Sequence, residues 1–128
     1  MKIEANLCLG CMSFGTSQWR PWVLDRPQAM PILEAAAEAG IRMFDTANVY
    51  SGGESERILG EFLKSSSIIA QSFIATKLYH ETPDRLGLKG LGRDNVIGST
   101  EASLKRLGVD CIDLMQIHSW DDETPIEE

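Results

Sequence analysis

Apolar residues along this chain come in two alternating kinds of run. Short, nearly continuous apolar stretches lie at Leu7 to Phe14, Ile41 to Thr46, Ser72 to Lys77 and Cys111 to His118. Between them, apolar and polar positions recur at helical spacing. The first kind predicts buried strands and the second predicts amphipathic helices. Helices are expected from Met30 to Ala39, from Glu54 to Lys64 and from Asn95 to Leu107. In the second of these, Ile58, Leu59 and Phe62 share one face. In the third, Val96, Ile97, Ala102 and Leu104 are the apolar positions.

The punctuation supports this division. Asp25 is placed to cap the first helix, with Pro27 in its first turn and Gly40 after its end. Pro31 either begins that helix or kinks it. Gly52 and Gly53 mark a loop, a long polar loop runs from about Tyr79 to Arg93, and Gly108 stops the third helix. At the far end, Thr124-Pro125-Ile126-Glu127 has the form of a capping box with proline at the first helical position. It reads as the start of a fourth helix, on which the chain breaks off.

Strands alternating with helices imply parallel pairing through βαβ crossovers. Four such units fill residues 1–128, with no linker, so the expectation is one partial domain. In such folds the useful residues stand at the carboxyl ends of the strands. Asp45, Lys77 and His118 each end a strand, and Tyr50 lies five residues past Asp45. Period-two counting puts Ile41, Met43 and Asp45 on one face, Phe73, Ala75 and Lys77 on one face, and Ile112, Leu114, Gln116 and His118 on one face. If these faces all point inward, the three titratable groups converge at one rim.

Taken singly, each has an ordinary structural role: a snorkelling lysine, a turn-capping aspartate, a structural histidine, a packed tyrosine. Together they suit one chemistry. A phenol has a pKa near 10 and is a weak acid at pH 7, and a neighbouring ammonium stabilises its phenolate. A carboxylate holds the ammonium in place, and a histidine orients a carbonyl oxygen. Such a set delivers a proton to that oxygen while a hydride reaches carbon. The hydride needs a cofactor, because no side chain supplies one.

Composition narrows the field. The 128 residues are 43% hydrophobic and 24% charged, with a net charge of −7. That is ordinary for a soluble protein and argues against nucleic acid as a partner. No apolar run is long enough for a membrane span, and MKIEANLCLG lacks the apolar core of a signal peptide. With three cysteines, an odd number, the expected location is cytoplasmic. Cys8 and Cys11 form a C-x-x-C without a second pair or nearby histidines, so no metal site is expected. On a strand, residues three apart point to opposite faces. A structural role is the first reading and a redox pair the second.

Four segments resemble the aldo-keto reductase family, in family order. FDTANVYSGGESERILGEFL, Phe44 to Leu63, is similar to the signature around the family's aspartate and tyrosine. IATK, Ile74 to Lys77, is similar to its lysine strand, and SLKRLGVDCIDLMQIH, Ser103 to His118, to its histidine strand. LGCMSFGTSQWRPW, Leu9 to Trp22, resembles a branch that includes aryl-alcohol dehydrogenases and potassium-channel β subunits. The resemblance implies an α/β fold, the N-terminal half of a (β/α)8 TIM barrel with four βα units and parallel strands. It implies NADPH-dependent reduction of an aldehyde or ketone. Tyr50 matches the general acid, Lys77 and Asp45 the pair that tunes it, and His118 the substrate-orienting group. Met12 and Gln18 match positions that, with Asp45, touch the nicotinamide end of the cofactor. Trp19, Trp22, Tyr79 and Trp120 lie in loops that would wall a substrate pocket.

A barrel of this type runs to about 250 residues. The expectation is therefore a truncated reductase with a complete tetrad, lacking most of its cofactor site. As a partner it would take a small carbonyl substrate, and a second copy or a complementary C-terminal half. The alternative is a non-catalytic fragment or a binding or assembly subunit. A small doubly wound dinucleotide fold has little support, since no G-x-G-x-x-G follows the first strand.

Overall fold

A computed structural model describes residues 7–127. Residues 1–6 and Glu128 lie outside the described residues, and with them part of the reading of both chain ends. Four short parallel strands form one sheet in the order β1 (Cys8–Gly10), β2 (Met43–Asp45), β3 (Phe73–Leu78) and β4 (Leu114–Ile117). Three helices connect them: α1 (Arg26–Glu38), α2 (Glu54–Ser66) and α3 (Arg93–Leu107). Sequence order equals spatial order, as the alternation of strands and helices implies.

The register sets the inward face. Met43 pairs with Phe73 and Asp45 with Ala75, while Ala75 pairs with Leu114 and Lys77 with Gln116. Residues at alternate positions face the helices instead. Phe44, Ile74 and Leu78 are all but fully buried. Phe44 meets Phe62 of α2 edge to face at 6.2 Å. Ile58, Leu59, Phe62 and Leu63 of α2 complete this core with Leu33 of α1 and Leu107 of α3. Each such side chain stabilises the fold by roughly 1.5–3 kcal/mol.

The expected elements appear with shifted boundaries. The first strand stops at Gly10, because the chain turns at Met12 and Ser13. Phe14 then bridges to Leu24 rather than to a neighbouring strand. Helix α1 starts at Arg26, so Pro31 neither begins it nor ends it. Asp25 caps it in a full capping box with Gln28. Pro31 cannot donate to the carbonyl four residues back. Burial of Ala29, Leu33 and Ala36 on one side of the helix offsets that loss.

The third helix departs furthest from its apolar pattern. Its buried residues are Asn95, Ser99, Ser103, Arg106 and Leu107, while Ile97 is exposed. Internal partners satisfy these polar groups. Asn95 Nδ2 donates to the Gly90 carbonyl, Ser99 to Asn95, and Arg106 to the buried carboxylate of Glu56 at 2.6 Å. Small residues bring α3 close to α2. A Cβ on Gly60 would stand 2.2 Å from the Leu107 carbonyl oxygen.

The expected fourth-helix start is a turn among the described residues. Thr124 donates its hydroxyl to Asp121 at 2.7 Å instead of capping a helix. Among the described residues, no helix is long and apolar enough to cross a membrane. Cys8 is exposed, while Cys11 is fully buried with its thiol directed at the Leu9 carbonyl. Burial pushes the Cys11 thiol well above its usual range, so it stays protonated.

Candidate active site

The strand ends bring four side chains to one rim. Asp45 is the last residue of β2, Lys77 lies one residue before the end of β3, and His118 directly follows β4. The parallel ladder continues past the strands, with Thr46 N donating to the Ala75 carbonyl and His118 N to that of Leu78. The backbone thus holds these residues side by side.

The contacts run in a chain. Lys77 Nζ donates to Asp45 Oδ2 at 2.5 Å and to the Thr46 carbonyl at 2.8 Å. The ammonium lies 5.1 Å from the centre of the Tyr50 ring. The Tyr50 ring meets His118 edge-on, 5.6 Å between centroids at 90°. Asp45, Lys77, Tyr50 and His118 are therefore one constellation, drawn from β2, β3, the turn after β2 and the end of β4.

Tyr50 is set by an unusual turn. Ser51 adopts φ 50° and Gly52 φ 62°. A left-handed serine costs of order 1 kcal/mol and persists only where its surroundings hold it. Here Ser51 Oγ accepts from Thr16 N at 3.2 Å. Gly15 packs so closely that a Cβ there would lie 2.1 Å from the same oxygen. The β1 loop is thereby seated on the tyrosine turn. Below it, Ser55 of α2 bonds to Thr46 at 2.8 Å and to the Cys11 carbonyl at 2.7 Å. These buried links fix the backbone on either side of Asp45.

The His118 ring is kept neutral. Burial pushes its pKa down, and His80 and then Lys77 add to the effect, with only Asp45 opposing. Among the described residues its buried Nδ1 has no hydrogen-bond partner, which leaves Nε2 as the nitrogen able to meet a ligand.

The loop residues fall into two groups. Trp19 packs on Tyr50 with centroids 6.2 Å apart, and Trp22 packs on Trp19 at the same distance. Tyr79 stacks edge-on against His80, which meets His118. Met12 and Gln18 are exposed along the same β1 loop. Trp120 lies apart from these rings. Its indole donates to Asp122, and it lines a cavity of about 260 Å³ with Ile117, Leu91 and Ile126.

Two residues at this rim escaped the pattern of the sequence. Gln116 donates to Asp45 Oδ1 at 2.9 Å, so both carboxylate oxygens are held. Its place on the inward face was readable, but its partner 71 residues away was not. His80 lies two residues beyond β3, and no periodicity marks it.

Known proteins resemble this chain in sequence and fold. The model of the aldo/keto reductase family matches residues 6–128. An aldo-keto reductase of Fusarium vanettenii is 40% identical over 97% of this chain and 40% of its own length. The versiconal hemiacetal acetate reductase of Aspergillus parasiticus is 37% identical over 97% of this chain and 41% of its own length. The holo form of an aldo-keto reductase from Bacillus halodurans superposes with a TM-score of 0.79 at 31% identity. It covers 95% of this chain, which in turn covers 38% of it. The chain spans about two fifths of the length of the relatives it matches. Its four parallel strands alternating with three helices match the barrel of these structures. On a family match along nearly all of its length, the chain belongs to the aldo/keto reductase family.

Proposed function

We propose that this chain carries the proton-transfer side of a carbonyl reductase, which converts an aldehyde or ketone to an alcohol. The observation that supports this is the unbroken run of contacts from Asp45 through Lys77 and Tyr50 to His118. A nicotinamide cofactor, NADPH, supplies the hydride when bound. The residues present fit its nicotinamide end. Met12 and Gln18 stand exposed on the loop that follows Cys11, whose N–H bonds to the Asp45 carbonyl at 2.7 Å. The Asp45 side chain itself keeps 30% exposure. Met12, Gln18 and Asp45 would hold that end. The remaining cofactor contacts would come from the portion of the longer relatives that this chain does not span.

Each side chain then has one task. Tyr50 gives its hydroxyl proton to the carbonyl oxygen as that oxygen gains charge. Lys77 opposes the negative charge left on the phenolic oxygen. Asp45 and Gln116 keep the ammonium in place, so it need not reorganise during the reaction. Neutral His118 donates a hydrogen bond to the carbonyl oxygen and fixes its approach. Trp19 and Trp22 shield one flank of Tyr50 from water. General acid catalysis of this kind contributes about 10²–10⁴-fold.

The test is NADPH fluorescence titration of the 128-residue chain at a known oligomeric state, then aldehyde turnover with Tyr50→Phe. The expected result is saturable binding that Tyr50→Phe leaves nearly unchanged, with turnover lower by about 10²–10⁴-fold. Absence of binding, or equal loss of binding and turnover, would overturn the reading.

A further inference from the structure

The chain has two histidines, His80 and His118, and the fold sets their rings against each other. The centroids lie 5.2 Å apart at 70°. Strand register is the cause. Leu78 pairs with Ile117, and His118 N bonds to the Leu78 carbonyl at 2.9 Å. The residues leaving these two strands therefore emerge side by side.

His80 is itself well anchored. Tyr79 flanks its ring at 5.1 Å and 79°. Its carbonyl accepts from Asn48 Nδ2 at 3.2 Å, and Asn48 N donates to the Lys77 carbonyl at 3.0 Å. Asn48 lies two residues before Tyr50, so His80 is tied to the segment that carries the proposed acid. Four rings follow in sequence: Tyr79, His80, His118 and Tyr50.

The charged and titratable groups facing His118 come from four places. Lys77 is on β3, Asp45 is on β2, Tyr50 is in the turn after β2, and His80 is in the loop after β3. Lys77 and Asp45 are paired at 2.5 Å and offset one another. His80 is the remaining neighbour, ring against ring at 5.2 Å.

We propose that His80 is a positioning residue of this site: its ring holds His118 edge-on to Tyr50. Beside burial, the neighbouring His80 disfavours a proton on His118, which favours the neutral ring that donates to a carbonyl oxygen. The electrostatics agree, since His80 follows burial as the second cause that lowers the His118 pKa. The role rests on the function proposed above, but its test does not need the cofactor.

With two histidines in the chain, their ring carbon–proton signals are readily followed by NMR across pH. His80→Phe keeps an aromatic ring and removes the charge, while His80→Gln removes both. In His80→Phe the His118 midpoint should rise by about half a pH unit, the size expected for a charge about 5 Å away with water nearby. The ring-current shift that Tyr50 imposes on His118 should survive in His80→Phe and collapse in His80→Gln. An unmoved His118 midpoint in His80→Phe overturns the electrostatic effect. An unchanged ring-current shift in His80→Gln overturns the positioning role. NADPH titration separates either failure from failure of the proposed function. An intact histidine pair without cofactor binding would leave His80 holding His118 in a chain that is not a reductase.

Discussion

Replacing Arg106 by methionine should destabilise this protein more than any other single change at a charged position in α3. The guanidinium is 4% exposed and the Glu56 side chain fully buried. Nε donates to Glu56 at 2.6 Å, a second nitrogen to Asp84 at 2.7 Å, and the third to Ser103 at 3.1 Å. Among the described residues Arg106 is the cation paired with Glu56, and Thr76 donates to the other carboxylate oxygen at 2.7 Å. Methionine fills much of the space but leaves a buried carboxylate without its counter-charge, a loss of about 3–5 kcal/mol. Glu56→Gln is milder, because Arg106 keeps Asp84 and Thr76 still finds an acceptor. Its expected cost is about 1–2 kcal/mol. The double variant should cost less than the sum, since the isolated charge is gone. Urea unfolding at pH 7, followed by tryptophan fluorescence, measures all three. The reasoning fails if Arg106→Met lies within about 1 kcal/mol of the parent, or if Glu56→Gln costs more than Arg106→Met.

Other consequences are open to direct measurement. Gly60→Ala would push a methyl into the Leu107 carbonyl, 2.2 Å from the ideal Cβ. Thermal melting should show a loss of about 1–3 kcal/mol, and an unchanged melt would mean that α2 and α3 separate freely. At Asp84, burial raises the carboxyl pKa, but Thr82 and Arg106 together outweigh it and hold the pKa below 3.8. A folded pKa below the unfolded one means that its stabilisation is complete above the unfolded value and is lost as pH falls through the folded one. Asp84→Asn should therefore lower the urea midpoint at pH 6 and have a smaller effect near pH 3. Equal effects at both would contradict the pairing. Among the described residues, β1 and β4 are the unpaired edges of the sheet, with Leu114 and Ile117 exposed. Sedimentation velocity on the chain should show self-association. A monodisperse monomer with a cooperative melt would refute it.

Much of the architecture was legible in the order of the residues, because it rests on local physics. Period-two and period-3.6 patterns specified alternating strands and helices, and that alternation leaves few topologies other than a parallel sheet. The offset of Asp45, Lys77 and His118 from their strands already implied a common rim, since strand ends in such a sheet all open on one side. Asp25 and Pro27 marked the cap and first turn of α1, although the helix itself was expected only from Met30 and starts at Arg26.

Tertiary structure decided what depends on partners distant in sequence. Arg106 looks like a solvent-facing helix charge until Glu56, 50 residues earlier, packs beneath it. The polar face of α3 turns inward for the same reason. Helical spacing reports which residues share a side, and only the neighbouring helix, with Gly60 allowing close approach, determines which side is buried. Gln116 reaches Asp45 across the full separation of β2 and β4, and His80 meets His118 because Leu78 and Ile117 are in register. Strand register is set by long-range pairing that no window of sequence contains. The residue types of the site were therefore readable in the chain, while their hydrogen bonds, burial and mutual charge arise only when the sheet assembles.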